Sequence, residues 1–313
     1  MSLELKFALF QLVIIIPFLA GNILGRLLLN LDRLARRLVI INLSILEPPI
    51  ILWTVLGLSL APGMIYLPIS GAALALTGFL IGKGVAGRFH FGDKSSRVYV
   101  ICSSLANQGF TMGGFICYLF AGERGLGLSN IFLMFFIPFT FLFIFGYASM
   151  EDRKEIFRWE SIKEFLFNLR NMPLLAIVTA VGIRTLGFKR PEIYFPLDLL
   201  LTIAVAIYYF TLGINFKLSD LNPFKPEHLT LALQKFMILP ALAFGITYFL
   251  PIGDDLKLII KIESFMPVAV YAVVSSIMFD LDSRRASGLF VVNTLIFVIL
   301  VFPVLFFMRA RLF

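Results

Sequence analysis

Apolar residues run along this chain in long blocks, each closed by a short polar, basic or Gly/Pro-containing stretch. A helix needs roughly 20 predominantly apolar residues to cross the hydrocarbon core of a bilayer. The blocks predict ten such helices, over about 7–29, 37–60, 64–87, 97–120, 127–149, 172–188, 195–216, 228–250, 256–279 and 286–308. Two blocks are interrupted near their middles. The fourth carries Ala106-Asn107-Gln108-Gly109 and then Gly113-Gly114, and the ninth carries Glu263-Ser264-Phe265-Met266-Pro267.

Composition agrees with this reading and removes the alternatives. Of 313 residues, 59% are hydrophobic and 15% charged, and the mean hydropathy is +0.94. A soluble domain is about a quarter charged. A soluble enzyme, a secreted disulfide scaffold and a disordered chain are excluded. What remains is an all-α polytopic membrane protein. The two cysteines, Cys102 and Cys117, form neither a disulfide framework nor a zinc site and are expected to be inert helix residues. The first apolar run lacks a basic leader and a small-residue cleavage site, so no cleavable signal peptide is expected.

The net charge of +8 belongs to the membrane topology, and no nucleic-acid partner is expected. If the connections alternate sides, one side collects 17 Lys and Arg, including Arg33, Arg36, Arg37, Lys94, Arg153, Lys154, Arg284 and Arg285. The other side, termini included, holds 9, and Lys235 lies inside the eighth block. Cytoplasmic connections are the Lys/Arg-rich ones. Both termini are therefore predicted outside, in a multi-pass protein of the cell membrane. The longest connection carries an amphipathic stretch with Ile156, Phe157, Trp159, Ile162, Phe165 and Leu166, read as a helix on the inner membrane surface.

That connection divides the chain into a first five-helix repeat (1–150), a connecting segment (151–171) and a second five-helix repeat (172–313). An odd number of spans per half inverts the second repeat relative to the first, as in many secondary transporters. The interrupted fourth and ninth spans then hold equivalent positions. Breaks at membrane depth are tolerated where protein or a polar cavity satisfies the freed backbone. A matched pair of breaks points to a binding site.

The residues around these breaks carry a resemblance. Glu263-Ser264-Phe265-Met266-Pro267 and the apolar run after it, followed by Asp280-Leu281-Asp282, Ala286-Ser287, Asn293-Thr294 and Pro303, are similar to the C-terminal signature of the auxin efflux carrier family. That family includes the plant PIN proteins and many bacterial permeases. Asn107-Gln108-Gly109-Phe110 resembles its Asn-x-Gly-Phe, and Asn171-Met172-Pro173, Leu212-Gly213 and Lys235 with Pro240 sit where the family has similar residues. The resemblance covers nearly the whole chain and is strongest over about 258–306. One position departs: Gly114 stands where the family often has Pro.

The resemblance implies a fold shared with bile acid–sodium symporters, in which broken helices 4 and 9 cross at the membrane centre beside the substrate. It implies a carrier of auxin-like compounds or of mono- or dicarboxylates. It assigns the crossover to Asn107, Gly109 and Pro267 and an acidic position to Glu263. Glu263-x-x-Met266 also resembles the sodium-site segment of the bile acid symporters, where Gln stands in place of Pro267. Na⁺ near Glu263, or H⁺, is the implied coupling ion, and no covalent cofactor is expected.

The residues themselves leave alternatives open. Glu263, a carboxylate inside a bilayer block, either couples a cation or satisfies amides freed by the break. Asn107 and Gln108 either bind substrate or cap the break, and Gly109, Gly114, Met266 and Pro267 complete the candidate substrate site, although Met266, like Met112, reads first as core packing. Glu47, before Pro48-Pro49, is a second titratable candidate or a buried acid paired with a basic or polar neighbour. Lys235 is expected to snorkel to the interface. Asp280, Asp282, Arg284 and Arg285 read as a solvated turn, and His90 and His228 as solvated. No nucleophile, metal-ligand or dinucleotide set stands out, and Gly122-x-x-Gly125-x-Gly127 lies in an outer loop. The expectation is therefore a non-enzymatic secondary transporter of a small organic anion in the lipid bilayer, with a homodimer as its candidate assembly. A sodium-coupled bile-acid-like symporter and an ion channel are the other readings.

Overall fold

The computed structural model describes residues 3–28, 31–149, 163, 168–214 and 225–307. Most of the predicted inner-surface stretch, from Ile156 to Leu166, lies outside the described residues. In chain order the helices are α1 (Leu3–Leu27) and α2 (Leu31–Ile41, continuing through a π-helical turn Asn42–Leu46 into Glu47–Leu56). Then come α3 (Tyr66–Ala86), α4 (Asp93–Ser104) and α5 (Met112–Phe132), which runs on in short turns to Ala148. They are followed by α6 (Met172–Thr185), α7 (Leu197–Ile214) and α8 (Pro226–Leu233, a π turn Gln234–Ile238, and Leu239–Phe249). Last are α9 (Asp254–Ser264), α10 (Val270–Met278) and α11 (Ser283–Ile296, continuing to Phe307).

The described chain is helical, with one isolated backbone bridge, Ala106 to Val268. Six of its helices are long and apolar enough to cross a membrane: Arg33–Leu56, Pro62–Ala86, Met112–Ala148, Leu197–Ile214, Pro226–Phe249 and Ser283–Phe307. Gln11–Leu27 and Met172–Thr185 are shorter apolar helices. The fourth and ninth predicted spans are split into shorter pieces, and the fourth and fifth are separate helices that meet at a sharp break, Ala121 and Gly122, whose dihedrals are non-helical. A Cβ on Gly125 would lie 2.3 Å from the carbonyl oxygen of Cys117, eight residues earlier, so the chain folds back at this break. The connection is a tight turn at Gly122, with Gly125 and Gly127 already in the next helix. Leu12, Ile16, Leu19 and Ile23 of α1 are exposed. Such an apolar exterior suits lipid, and the protein is membrane-embedded.

The chain forms two units. One contains α1, α2, residues Gly114–Asn130, α6 and α7. Small residues let its helices touch: a Cβ on Gly21 would lie 2.1 Å from the Phe210 carbonyl oxygen, and one on Gly213 would lie 2.1 Å from that of Phe18. Close approach through small residues is the usual way apolar helices associate where lipid is as apolar as they are. The other unit contains Ala61–Gly113, the chain from Ile131, and α8 to α11. Here α3 lies against α4, with a Cβ on Gly78 only 2.4 Å from the Ser103 carbonyl oxygen and the Ser104 hydroxyl donating to Ala75 O at 2.8 Å.

Candidate functional site

Two interruptions of the helical chain meet inside the second unit. The first follows α4. Leu105 turns to an extended conformation (φ −82°, ψ 133°), and Gly109 takes φ +67°. A side chain at Gly109 would be strained at that φ and would also strike Leu133, 2.5 Å from the ideal Cβ. The second follows α9. Pro267 has no N–H to continue a helix and biases Met266 away from the helical region. Ala269 is extended (φ −72°, ψ 143°) before α10 starts.

The two extended segments pair antiparallel. Asn107 N–H donates to Pro267 O at 2.7 Å, and Ala269 N–H donates to Leu105 O at 3.2 Å. Each segment thus supplies what the other lost on leaving the helix. Val268 N–H finds the Asn293 side-chain oxygen of α11 at 3.0 Å. Buried backbone groups need such partners.

Side chains complete the pairing. The Gln108 amide donates to Glu263 O at 3.0 Å, closing the end of α9. The Glu263 carboxylate is fully buried and accepts the Gly109 N–H at 3.3 and 3.4 Å. It also lies against Gly113, where a Cβ would come within 2.2 Å of its Oε2. The carboxylate therefore sits at the amino-terminal end of α5, where free N–H groups and the helix dipole favour negative charge. Asn107 differs from its neighbour: it is half-buried, and its side-chain amide makes no hydrogen bond with the described residues. Met266 and Gly109 are buried. The structure thus gathers Asn107, Gln108, Gly109, Glu263, Met266 and Pro267 at one place. Gly114 belongs to the other unit, as does Glu47.

Glu47 is fully buried on α2, next to the π turn. Neither of its carboxylate oxygens has a hydrogen-bond partner among the described residues. Tyr208 of α7 lies within reach of its charge. The polar neighbour expected for a merely structural acid does not bond it.

Two expectations are corrected. Lys235 does not snorkel: it is fully buried on the π turn of α8 and donates to Leu105 O at 3.0 Å. Its neighbour Gln234 donates to Gly78 O at 3.0 Å and Ser103 O at 3.2 Å. The reason is the break itself, which frees carbonyls at the end of α4. His228 is buried within α8, because the helix begins earlier than the apolar block does. The Asp280–Arg285 turn is solvated as expected, with Asp280 and Arg284 exposed, and is also tied down: Lys94 pairs with Asp280 at 2.5 Å, Ser95 donates to Asp282 at 2.7 Å, and Asp282 caps α11 by accepting Arg285 N–H at 3.0 Å. Gln234, Asn293 and Gly113 were not singled out from sequence. A polar pair within an apolar span was the signal for the first.

A sodium ion at a broken helix is held by freed carbonyls and half-helix ends. Here Leu105 O holds the Lys235 ammonium and the Ala269 N–H, Ser103 O holds Gln234, Glu263 O holds Gln108, Pro267 O holds Asn107 N–H, and Ala106 O holds Gln108 N–H. The Glu263 carboxylate accepts the Gly109 N–H with both oxygens. This donor set does not fit sodium. Comparison of the sequence with protein families and with curated proteins gives no match.

Proposed function

We propose that the protein is a secondary transporter of a small organic anion, an auxin-like acid or a mono- or dicarboxylate. In this reading it makes ten membrane passages as two inverted five-helix repeats, α4/α5 and α9/α10 being the broken fourth and ninth. These cross at the membrane centre and work by alternating access. One observation carries the reading: an interruption from each half of the chain pairs backbone to backbone, beside a half-buried Asn107 amide with no hydrogen-bond partner among the described residues. The amide and the first N–H groups of α10 are donors for a carboxylate, since the opening N–H groups of a helix have no intrahelical acceptor. Glu263 is the position at which a cation dependence, on sodium or on protons, would act.

The test is counterflow in proteoliposomes loaded with malonate or indole-3-acetate. A carrier gives exchange that is stimulated from the trans side. Flux with no trans-stimulation is the result expected of a channel and overturns the reading. Asn107→Ala is expected to fold with a melting temperature near the wild type but to lose the thermal shift given by the transported acid. A well-folded variant with an undiminished shift returns Asn107 to a structural role.

A further inference from the structure

The carbonyls at the end of α4 are held by two consecutive side chains of α8. Such neighbours on a regular helix point about 100° apart. The π turn Gln234–Ile238 contains both, and π turns inside α-helices occur frequently at functional sites. Gln234 takes Ser103 O, and Lys235 takes Leu105 O. Lys235 is fully buried and has no carboxylate partner among the described residues. A buried ammonium without a counter-ion is costly unless something else supplies negative potential. Here that is the carboxyl-terminal end of α4, where the helix dipole is negative. At the other end of the same break, the Glu263 carboxylate lies against the positive, amino-terminal end of α5. The two fixed charges are opposite in sign, and each is matched to the half-helix end it faces.

We infer that Lys235 is the resident cation of the crossover: a positioning residue whose ammonium group fills, at the freed carbonyls of α4, the place a coupling sodium ion would take. Transport then requires no sodium. The ammonium holds Leu105 O in line to accept Ala269 N–H, and so holds the pairing on which the Asn107 amide is presented. Lys235 is not a ligand of the substrate in this scheme; it acts through the backbone. The inference deepens the carrier reading and rests on it for the consequence for transport, but the position of the charge can be tested without any substrate.

The test uses the full-length purified protein. Its melting temperature is measured in sodium, potassium and choline chloride at equal ionic strength. Wild type is expected to melt within about 1 °C in all three, because a ligand that binds only the folded state would raise it. Lys235→Met keeps the length and removes the charge, and is expected to melt about 5 °C lower or more. Lys235→Ala is expected to regain much of its loss in ethylammonium chloride and none in choline chloride, which a gap of merely lost packing would not show. Sodium-specific stabilisation of the wild type, a Lys235→Met protein indistinguishable from it, or a Lys235→Ala protein blind to ethylammonium each overturns the inference. If neither variant folds, the salt series on the wild type decides alone. Counterflow of malonate and indole-3-acetate is run in the same salts. Exchange that persists in choline supports the inference, and exchange that stops there overturns it. Absence of exchange in every salt, with the melting results as expected, removes the carrier reading and leaves Lys235 as the cation of the break.

Discussion

At the scale of single residues, the crossover depends on atoms that are missing as much as on those present. Gly113 has no Cβ, and the Glu263 carboxylate lies where one would be. Gly113→Ala therefore displaces a buried carboxylate from the Gly109 N–H, not merely a methylene. Overpacking a tight site costs about 1–3 kcal/mol. The expected outcome is a melting temperature lower by several degrees, with a further loss of the ligand-induced shift. Gly84, where a Cβ meets nothing within 4 Å, is the control position for the same substitution. Equal melting of the two variants would show that the carboxylate has room to move away. Asn107 and Gln108 show how adjacent amides divide tasks. Gln108 closes the end of α9, and the Asn107 side chain has no hydrogen-bond partner among the described residues.

At the scale of elements, the end of α11 is set by a cap whose strength depends on pH. Asp282 stands in the connection between α10 and α11, outside the helices of membrane length. Burial disfavours its charge, but the Ser95 hydroxyl, the Arg285 N–H and the Arg285 and Arg284 charges outweigh burial and hold its carboxyl below the ordinary value. Asp280 beside it is held low by the Lys94 hydrogen bond and charge. A carboxyl depressed in the folded state adds stability above its unfolded value, near 4, and that stability fades as the pH falls below it. Asp282→Ala removes an N-cap, a loss of about 1 kcal/mol. At pH 6 the variant is expected to melt measurably below wild type, and the gap should narrow toward pH 3. A gap that stays constant across that range would mean that the cap's charge contributes nothing. The π turns in α2 and α8 belong to the same scale. Each lies at a buried ionisable residue, Glu47 and Lys235.

At the scale of the whole molecule, the excess of Lys and Arg in alternate connections predicts that both termini face outside. Single cysteines introduced near each end, with Cys102 and Cys117 replaced by Ala, should react with a membrane-impermeant maleimide in intact cells. One near Lys94 should react only after permeabilisation. Labelling of just one terminus in intact cells would overturn the even number of passages. What the chain fixed by itself is what depends on neighbours in sequence. Apolar blocks make helices of membrane length, and Asn107-Gln108-Gly109 and Met266-Pro267 stop them, since these residues cannot hold a helix well wherever they are. Tertiary structure alone decided what the stopped ends bond to. Leu105 O meets Lys235 from 130 positions away, and Glu263 O meets Gln108 from 155. Lys235 looked interfacial in sequence because a long cation in an apolar block has a cheap way out to water. It stays inside because the break leaves carbonyls that need a donor, a demand that exists only once α4, α8 and α9 have packed together.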